Sequence, residues 1–353
     1  MKGCYVDELT VVFQSEQTAE LQPYDYEERV LGAVGATLRV GRCESGSQLV
    51  AEAQGARVIW IEWTPAITRE VLEALPDCEL VMRWGVGYDQ IDVRAASLLG
   101  IAVANAPSYC TDTVVEHTFA LLLAVTRRIA LGDRRIRAGD WGGTDWGCEA
   151  INGRTFGVVG LGHIGRRVAA LAESFGCHVL ASDVLAPVDS PEGVSIVELR
   201  QLLEQSDIVS LHVPLSADTE HLLDRERIGW MKPGAVLVNT SRGGVVEEDA
   251  LVEALQQKRL FGAGLDVFET EPLPAVSRLR EIDEVVLTSH EAARSPDSLA
   301  KLRAEMCDTT LSWLATGWAS SVVNPLVRET RRWQGPLCLA GELAAADHLA
   351  AQS

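Results

Sequence analysis

The chain is short of positive charge: 31 Lys and Arg stand against 50 Asp and Glu, a formal net charge of −19. That deficit disfavours nucleic acid or an anionic membrane as a general partner, since both are gripped through cations that neutralise phosphate. It leaves room for a small anionic substrate, because a few arginines can dominate one cleft. Long apolar runs are missing as well. The longest, Phe119 to Val125, falls far short of the ~20 residues a membrane-spanning helix needs. The N-terminus, Met1-Lys-Gly-Cys-Tyr-Val-Asp-Glu, has no uninterrupted apolar stretch of the kind that directs secretion. The eight cysteines (Cys4, Cys43, Cys78, Cys110, Cys148, Cys177, Cys307, Cys338) form no CxxC and no Cys/His cluster at zinc spacing. No metal site is expected, and free thiols in a reducing cytoplasm are. Repeats and low-complexity tracts are lacking too. What remains is a soluble, cytoplasmic chain whose 353 residues suffice for two domains with cores of their own.

What is present is alternation. Between residues 8 and 105, apolar strand patterns at Thr10–Phe13, Thr37–Val40, Val58–Trp63, Leu80–Arg83 and Ile101–Ala104 alternate with helical patterns near Tyr26–Val34, Ser47–Ala53, Thr68–Leu75 and Ile91–Leu98. Strict βα alternation implies a parallel sheet covered by helices. One long helix is expected from about Thr111 to Arg137, with an apolar face of Val114, Val115, Phe119, Leu122, Leu123 and Ile129. The run Gly139-Asp-Trp-Gly-Gly-Thr-Asp-Trp-Gly breaks it. Its tryptophans could cover a partner subunit or the domain's own core. A second βα series follows, with strands at 155–159, 178–182, 207–213, 235–240, 262–267 and 285–288 and helices at 164–175, 195–204, 225–230 and 248–257. Ser295-Pro-Asp opens a last helix to about Thr316, expected to return to the first unit. After about Pro325 the chain carries a charged run and a possible alanine-rich helix, with no evident chemistry.

The second series is organised around Phe156-Gly-Val-Val-Gly160-Leu-Gly162-His-Ile-Gly165. A strand runs into a glycine turn that opens a helix. Gly160 allows the tight turn, Gly162 lets backbone approach a pyrophosphate, and Gly165 lets the helix pack closely on its strand. The freed N–H groups of that helix then face the phosphates. Asp183 ends the next strand, 18 residues past Gly165, where a carboxylate can take the ribose hydroxyls. An acid there favours NAD over NADP, whose 2′-phosphate it would repel.

Three further residues follow apolar strands in order. Arg242, in Asn239-Thr-Ser-Arg-Gly-Gly, offers a guanidinium fork suited to a carboxylate, though a surface arginine is an equal reading for that residue alone. Glu271 follows Gly264-Leu-Asp-Val-Phe-Glu-Thr, and His290 ends Val285-Val-Leu-Thr-Ser. A carboxylate beside a histidine fixes its tautomer and makes it usable for acid–base work. Of the other histidines, His117, His178, His212, His221 and His348 read as structural, while His163 lies inside the phosphate turn.

With these motifs stand Arg83-Trp-Gly-Val-Gly-Tyr-Asp-Gln-Ile-Asp, Asn105-Ala-Pro, Leu211-His-Val-Pro-Leu and Thr288-Ser-His. Together they resemble the D-isomer-specific 2-hydroxyacid dehydrogenases over roughly residues 8–326, and within them the branch related to the C-terminal-binding proteins. The resemblance implies an α/β fold of two doubly wound parallel-sheet domains with a cleft between. A Rossmann cofactor domain would span 106–291, and a flavodoxin-like substrate domain 1–105 and 292–326, leaving a tail at 327–353. It implies a homodimer, NAD as cofactor, and hydride transfer between NAD(H) and a small 2-hydroxy or 2-oxo acid of D configuration. It maps the acid/base onto His290, its partner onto Glu271, and the substrate-carboxylate contact onto Arg242, with Arg83, Gly85, Val86 and Gly87 as a loop closing over substrate. Cofactor contacts would be Gly160, Gly162, His163, Ile164, Gly165, Asp183, Val213, Pro214, Thr219, Thr240, Ser241, Arg242 and His290, with Asp266 at the carboxamide.

Three positions depart from the family pattern. Ser289 stands where many members have proline, and Ala293 where the C-terminal-binding proteins have tryptophan; the tail has no counterpart. Formate dehydrogenases carry glutamine where Glu271 stands, which disfavours that activity. Phosphite oxidation uses a similar Arg/Glu/His set, and an NAD-sensing scaffold, as the co-repressor branch provides, is the reading from a different class.

Overall fold

Strands buried on both faces read as continuous apolar runs, and Val58-Ile-Trp-Ile is such a run, buried at all four positions. A computed structural model describes residues 9–14, 24–141, 147–184, 193–333 and 335. Contacts divide the chain into two units, Met1–Tyr109 with Pro296–Ser353, and Cys110–Ser295.

The first unit runs β1 (Leu9–Gln14), α1 (Asp25–Gly32), β2 (Ala36–Gly41), α2 (Gly46–Glu52), β3 (Val58–Ile61), α3 (Arg69–Glu73), β4 (Leu80–Arg83), α4 (Val93–Leu98) and β5 (Ala102–Ala104). Its strands pair in parallel in the order β2-β1-β3-β4-β5, the flavodoxin-like winding. Because successive side chains on a strand point to opposite faces, each strand feeds two cores. Val11, Trp60 and Met82 enter one; Val12, Ile59, Ile61 and Val81 enter the other, with Leu49 and Leu72 of the covering helices.

The second unit opens with α5 (Thr111–Thr126) and α6 (Ile129–Arg137). The single helix expected from Thr111 to Arg137 is therefore two. Arg128 takes a left-handed φ of 55° and lays its guanidinium 4.3 Å from the Phe261 ring centroid. The expected apolar face stops with the first helix: Val114, Val115, Phe119 and Leu122 are buried, whereas Ile129 is 57% exposed. Then come β6 (Thr155–Val159), α7 (His163–Ser174), β7 (His178–Ser182), β8 (Ser195–Ile196), α8 (Leu199–Gln205), β9 (Ile208–Leu211), α9 (Arg225–Trp230), β10 (Ala235–Asn239), α10 (Glu248–Gln256), β11 (Leu260–Leu265) and β12 (Val285–Leu287). The expected helix at 195–204 loses its start to β8, which pairs with β7 at the sheet edge. All seven strands are parallel, in the order β12-β11-β10-β9-β6-β7-β8. That is the Rossmann winding with one strand added beyond the sixth. The fold is thus α/β, with two doubly wound parallel sheets.

The last helix, α11 (Pro296–Thr316), belongs to the first unit. Trp60 donates its indole N–H to Thr310 Oγ1 at 3.0 Å, Trp313 donates to Glu79 Oε2 at 3.2 Å, and Arg303 grips the buried Glu27 carboxylate. Beyond it, Arg332 donates to the carbonyls of Leu99 (2.7 Å) and Leu75 (3.0 Å), so this stretch of the tail is fastened to the same unit. The alanine-rich stretch read as a possible helix lies outside the described residues, as does Trp146; Trp141 is 88% exposed. Among the described residues, no helix is long and apolar enough to cross a membrane.

Candidate active site

In a doubly wound sheet, ligands meet the carboxyl ends of the strands where the winding reverses. In the second unit that point lies between β6 and β9. β6 runs straight into Gly160, at a φ of 96°, and a Cβ there would stand 2.7 Å from the His212 carbonyl oxygen. A Cβ on Gly165 would stand 1.9 Å from the Gly160 carbonyl oxygen, so helix and turn pack as closely as backbone permits. Around Gly162, which caps α7, nothing lies within 4 Å of such a Cβ. A closed turn with an open helix N-terminus is the cradle a pyrophosphate fits. His163 is exposed in the first turn of α7, and Ile164 half-buried. Asp183 Oδ2 accepts the Leu161 N–H at 2.7 Å, tying the acid at the end of β7 to the glycine turn. Val213 packs beside Gly160, and Thr219 donates its hydroxyl to the Pro214 carbonyl at 2.6 Å.

The ends of β10, β11 and β12 carry the three chemistry-bearing residues. Past β10, the buried Asn239 organises the turn: its Oδ1 accepts from Ser241 N (3.0 Å) and Ser241 Oγ (2.8 Å), and its Nδ2 donates to the Arg242 carbonyl (2.9 Å). Thr240 is nearly buried, and Arg242 half-buried. Past β12, His290 Nδ1 lies 2.7 Å from Glu271 Oε2. A carboxylate only accepts, so Nδ1 carries the proton and Nε2 is the ring atom suited to proton exchange with a ligand. Glu271 Oε1 accepts the Phe268 N–H at 3.0 Å. Burial pushes the Glu271 carboxyl up, but His290, the Phe268 N–H and the nearby Arg242 charge outweigh it and leave it below its ordinary value. That Arg242 field joins the three residues in one electrostatic neighbourhood.

His290 has a φ of 54°, costing about 1–2 kcal/mol for a residue with a Cβ. Asp266 holds that turn. Its backbone carbonyl accepts the His290 N–H (2.8 Å); its carboxylate accepts Thr288 Oγ1 (2.6 Å) and the N–H groups of Glu291 and Ala292 (both 2.9 Å). Ser289 donates its hydroxyl to Glu291 Oε1 at 2.7 Å. Asp266 is fully buried, with protein donors on both oxygens, and anchors the His290 loop. Burial pushes its carboxyl up, and donors from His117, Thr288, Glu291 and Ala292 more than reverse this. A depressed folded-state pKa adds stability that is complete above the unfolded value, about 4, and fades as pH falls through the folded one. Asp266→Asn should therefore melt lower than wild type at pH 7, with the gap narrowing below about pH 4. Thermal melts across that range check this; a constant gap would contradict it.

His117, read as structural from the sequence, is in this network: its Nε2 lies 2.9 Å from Thr288 Oγ1 and 3.4 Å from Asp266 Oδ1. The available signal was a pair of polar residues, His117-Thr118, interrupting the apolar face of α5. Arg83 ends β4 in the first unit, with Gly85, Val86 and Gly87 following. It is 2% exposed, its guanidinium 4.4 Å from the Trp63 ring centroid and bonded to the Ile61 and Trp84 carbonyls. The Val86 carbonyl accepts Asn105 Nδ2 at 2.7 Å, fixing the loop.

Residues 119–292 match the family described as D-isomer specific 2-hydroxyacid dehydrogenase, NAD binding domain. A glyoxylate reductase of Korarchaeum cryptofilum is 40% identical over 276 residues, spanning 76% of this chain and 82% of that protein. A D-3-phosphoglycerate dehydrogenase of Mycobacterium leprae is 36% identical over 306 residues, 85% of this chain but only 58% of its own length. The structure of D-lactate dehydrogenase from Aquifex aeolicus, complexed with NAD and lactic acid, is similar with a TM-score of 0.78 and 30% identity, covering 92% of this chain and 99% of that one. With the strand order, the glycine turn and the Arg242, Glu271 and His290 strand ends, these similarities lead to one conclusion: the chain belongs to the D-isomer specific 2-hydroxyacid dehydrogenases and is an NAD-dependent oxidoreductase.

Proposed function

We propose that the protein interconverts a small 2-oxo acid and its D-2-hydroxy acid, with His290 as acid/base, Glu271 as its partner and Arg242 as the carboxylate grip. The observation that carries this is the 2.7 Å His290–Glu271 pair at the strand ends that also present Arg242. The Gly160–Gly165 turn would hold the pyrophosphate of NAD and Asp183 its ribose, and the bound nucleotide would supply or accept the hydride. Arg242 holds the substrate carboxylate by a two-pronged, charge-assisted contact. Glu271, ionised across the neutral range, keeps the Nδ1–H and the ring orientation of His290 fixed. Nε2 then gives a proton to the carbonyl oxygen during reduction and takes it back during oxidation. The remaining contacts proposed are His163, Ile164, Val213, Pro214, Thr219, Thr240 and Ser241 for the cofactor, and Arg83 with Gly85, Val86 and Gly87 for the substrate.

The chain is further proposed to work as a homodimer in the cytosol. No residue of α6 is buried, and Ile129, Ile136 and Trp141 are 57%, 49% and 88% exposed, an apolar face that a second copy would cover. The free cysteines, Cys43, Cys78, Cys110, Cys148, Cys177 and Cys307, suit a reducing compartment. Light scattering at micromolar concentration reads the dimer directly.

The test is NADH consumption against a panel of 2-oxo acids headed by glyoxylate, pyruvate and hydroxypyruvate, with phosphite as hydride donor in the reverse assay. One preferred oxo acid is the expected result. Tight NADH binding with no turnover of any of them would replace this reading with phosphite oxidation or a cofactor-sensing scaffold. Arg242→Ala should lower kcat/KM on the order of 100-fold, mostly through KM, since two charge-assisted hydrogen bonds are lost. A kcat effect with KM unmoved would assign Arg242 elsewhere.

A further inference from the structure

We propose that His117 and Thr118, neighbours on α5, are positioning residues that hold the His290 loop and the Arg242 loop in mutual register. This rests on the roles proposed above for His290 and Arg242. Beyond Asn239 and Leu287 the ladders of β10 and β12 end, and side-chain hydrogen bonds join a few backbone bonds, such as His290 N–H to the Asp266 carbonyl, in placing the loops that follow. α5 supplies one such bond to each.

Donor and acceptor roles can be worked out at both. Thr288 Oγ1 spends its hydrogen on Asp266 Oδ1 at 2.6 Å, so at 2.9 Å it accepts from His117, which puts a proton on Nε2. His117 thereby closes a ring of donors on Asp266, the residue that bonds the backbone N–H groups of His290, Glu291 and Ala292. A turn carrying a positive φ at His290 needs such support, because the strained conformation persists only where its surroundings over-determine it. Thr118 spends its hydrogen on the Val114 carbonyl at 2.7 Å, so at 3.0 Å it accepts from Thr240, two residues before Arg242. Thr118 is fully buried and Thr240 nearly so, and a buried hydroxyl that loses its partner pulls its loop toward another. Two adjacent residues on one rigid helix thus grip the ends of β10, β11 and β12. Their shared backbone transmits placement from one loop to the other. Loops carrying reacting groups must be held to within ~0.5 Å, and a 1 Å displacement can cost ~100-fold in rate.

The experiment compares wild type with His117→Ala, His117→Gln, His117→Asn, Thr118→Val and His290→Ala. Each is assayed for kcat, both KM values and the isotope effect with 4-deuterated NADH, beside its melting temperature. His117→Ala is expected to lose ~10- to 100-fold in kcat, with a larger isotope effect and the KM for NADH within about 2-fold. Glutamine can place an N–H near the position of Nε2 and should restore most of the rate; the shorter asparagine should not. Thr118→Val should raise the KM for the oxo acid. A merely structural role would lower the melting temperature and leave the isotope effect and the glutamine rescue unmoved. His117→Ala with wild-type kcat and isotope effect would overturn the proposal. If that variant does not fold, equal rates for the glutamine and asparagine variants would overturn it instead. An inactive His290→Ala beside an unimpaired His117→Ala removes only this inference; an active His290→Ala removes the reading beneath it.

Discussion

His290→Ala should lower kcat by ~10²- to 10⁴-fold while leaving NADH affinity within a few-fold. The size follows from what the ring does in the proposed reaction. Reduction of a carbonyl puts developing negative charge on oxygen, and only a positioned proton donor removes it within the same step. The imidazole is held for that task from both ends: Nδ1 on Glu271 at 2.7 Å, and backbone N–H on the Asp266 carbonyl at 2.8 Å. Glu271→Gln should show a smaller loss, because an amide can still accept from Nδ1–H but has no charge to offset an imidazolium. NADH fluorescence titration and single-turnover kinetics separate binding from chemistry. Near-full turnover in His290→Ala would sink the assignment.

Gly243→Ala should cost at least ~100-fold in kcat/KM although it adds one methyl group to a loop. A Cβ there would stand 1.8 Å from the Phe268 carbonyl carbon, 2.0 Å from its oxygen and 2.4 Å from Glu269 N. These are backbone atoms, so no change of rotamer relieves the overlap. Either the Arg242 turn or the Phe268–Glu271 segment must move, and Phe268 N–H is the donor on Glu271 Oε1 at 3.0 Å. The Arg242 turn and the Glu271–His290 pair therefore cannot both keep their places. The neighbouring Gly244 is the control: its nearest contacts are Leu215 side-chain atoms at 3.3 Å, which can yield. Gly244→Ala should stay within a few-fold of wild type. Wild-type kinetics in Gly243→Ala would show that the two loops are not packed as closely as described.

Much of the fold was legible in the sequence because its signals are local. An apolar run bounded by polar turns marks a parallel strand wherever it lies, and all eleven expected strands overlap an observed one by three residues or more without any appeal to distant contacts, as Val58–Ile61 and Ala235–Asn239 illustrate. The glycine turn was legible for the same reason: turn, close approach and helix start are all met within Gly160–Gly165. Arg242, Glu271 and His290 stood out because each follows an apolar strand, and strand ends of a parallel sheet share one edge. Where local pattern is weak, the reading failed. β8 is two residues long and defined only by its pairing with β7, and the break at Arg128 lies inside a stretch whose helical periodicity continues past it.

The sequence by itself determined the α/β class, the dinucleotide turn and the residue types available for acid–base chemistry, since each depends on neighbours within a few positions. Only the tertiary structure decided the two strand orders, the burial of Asp266 and the bond from His117 to Thr288. That bond joins residues 171 positions apart. Periodicity tells which face of an element is apolar; it does not tell which distant polar group will meet that face once the sheet has closed over it.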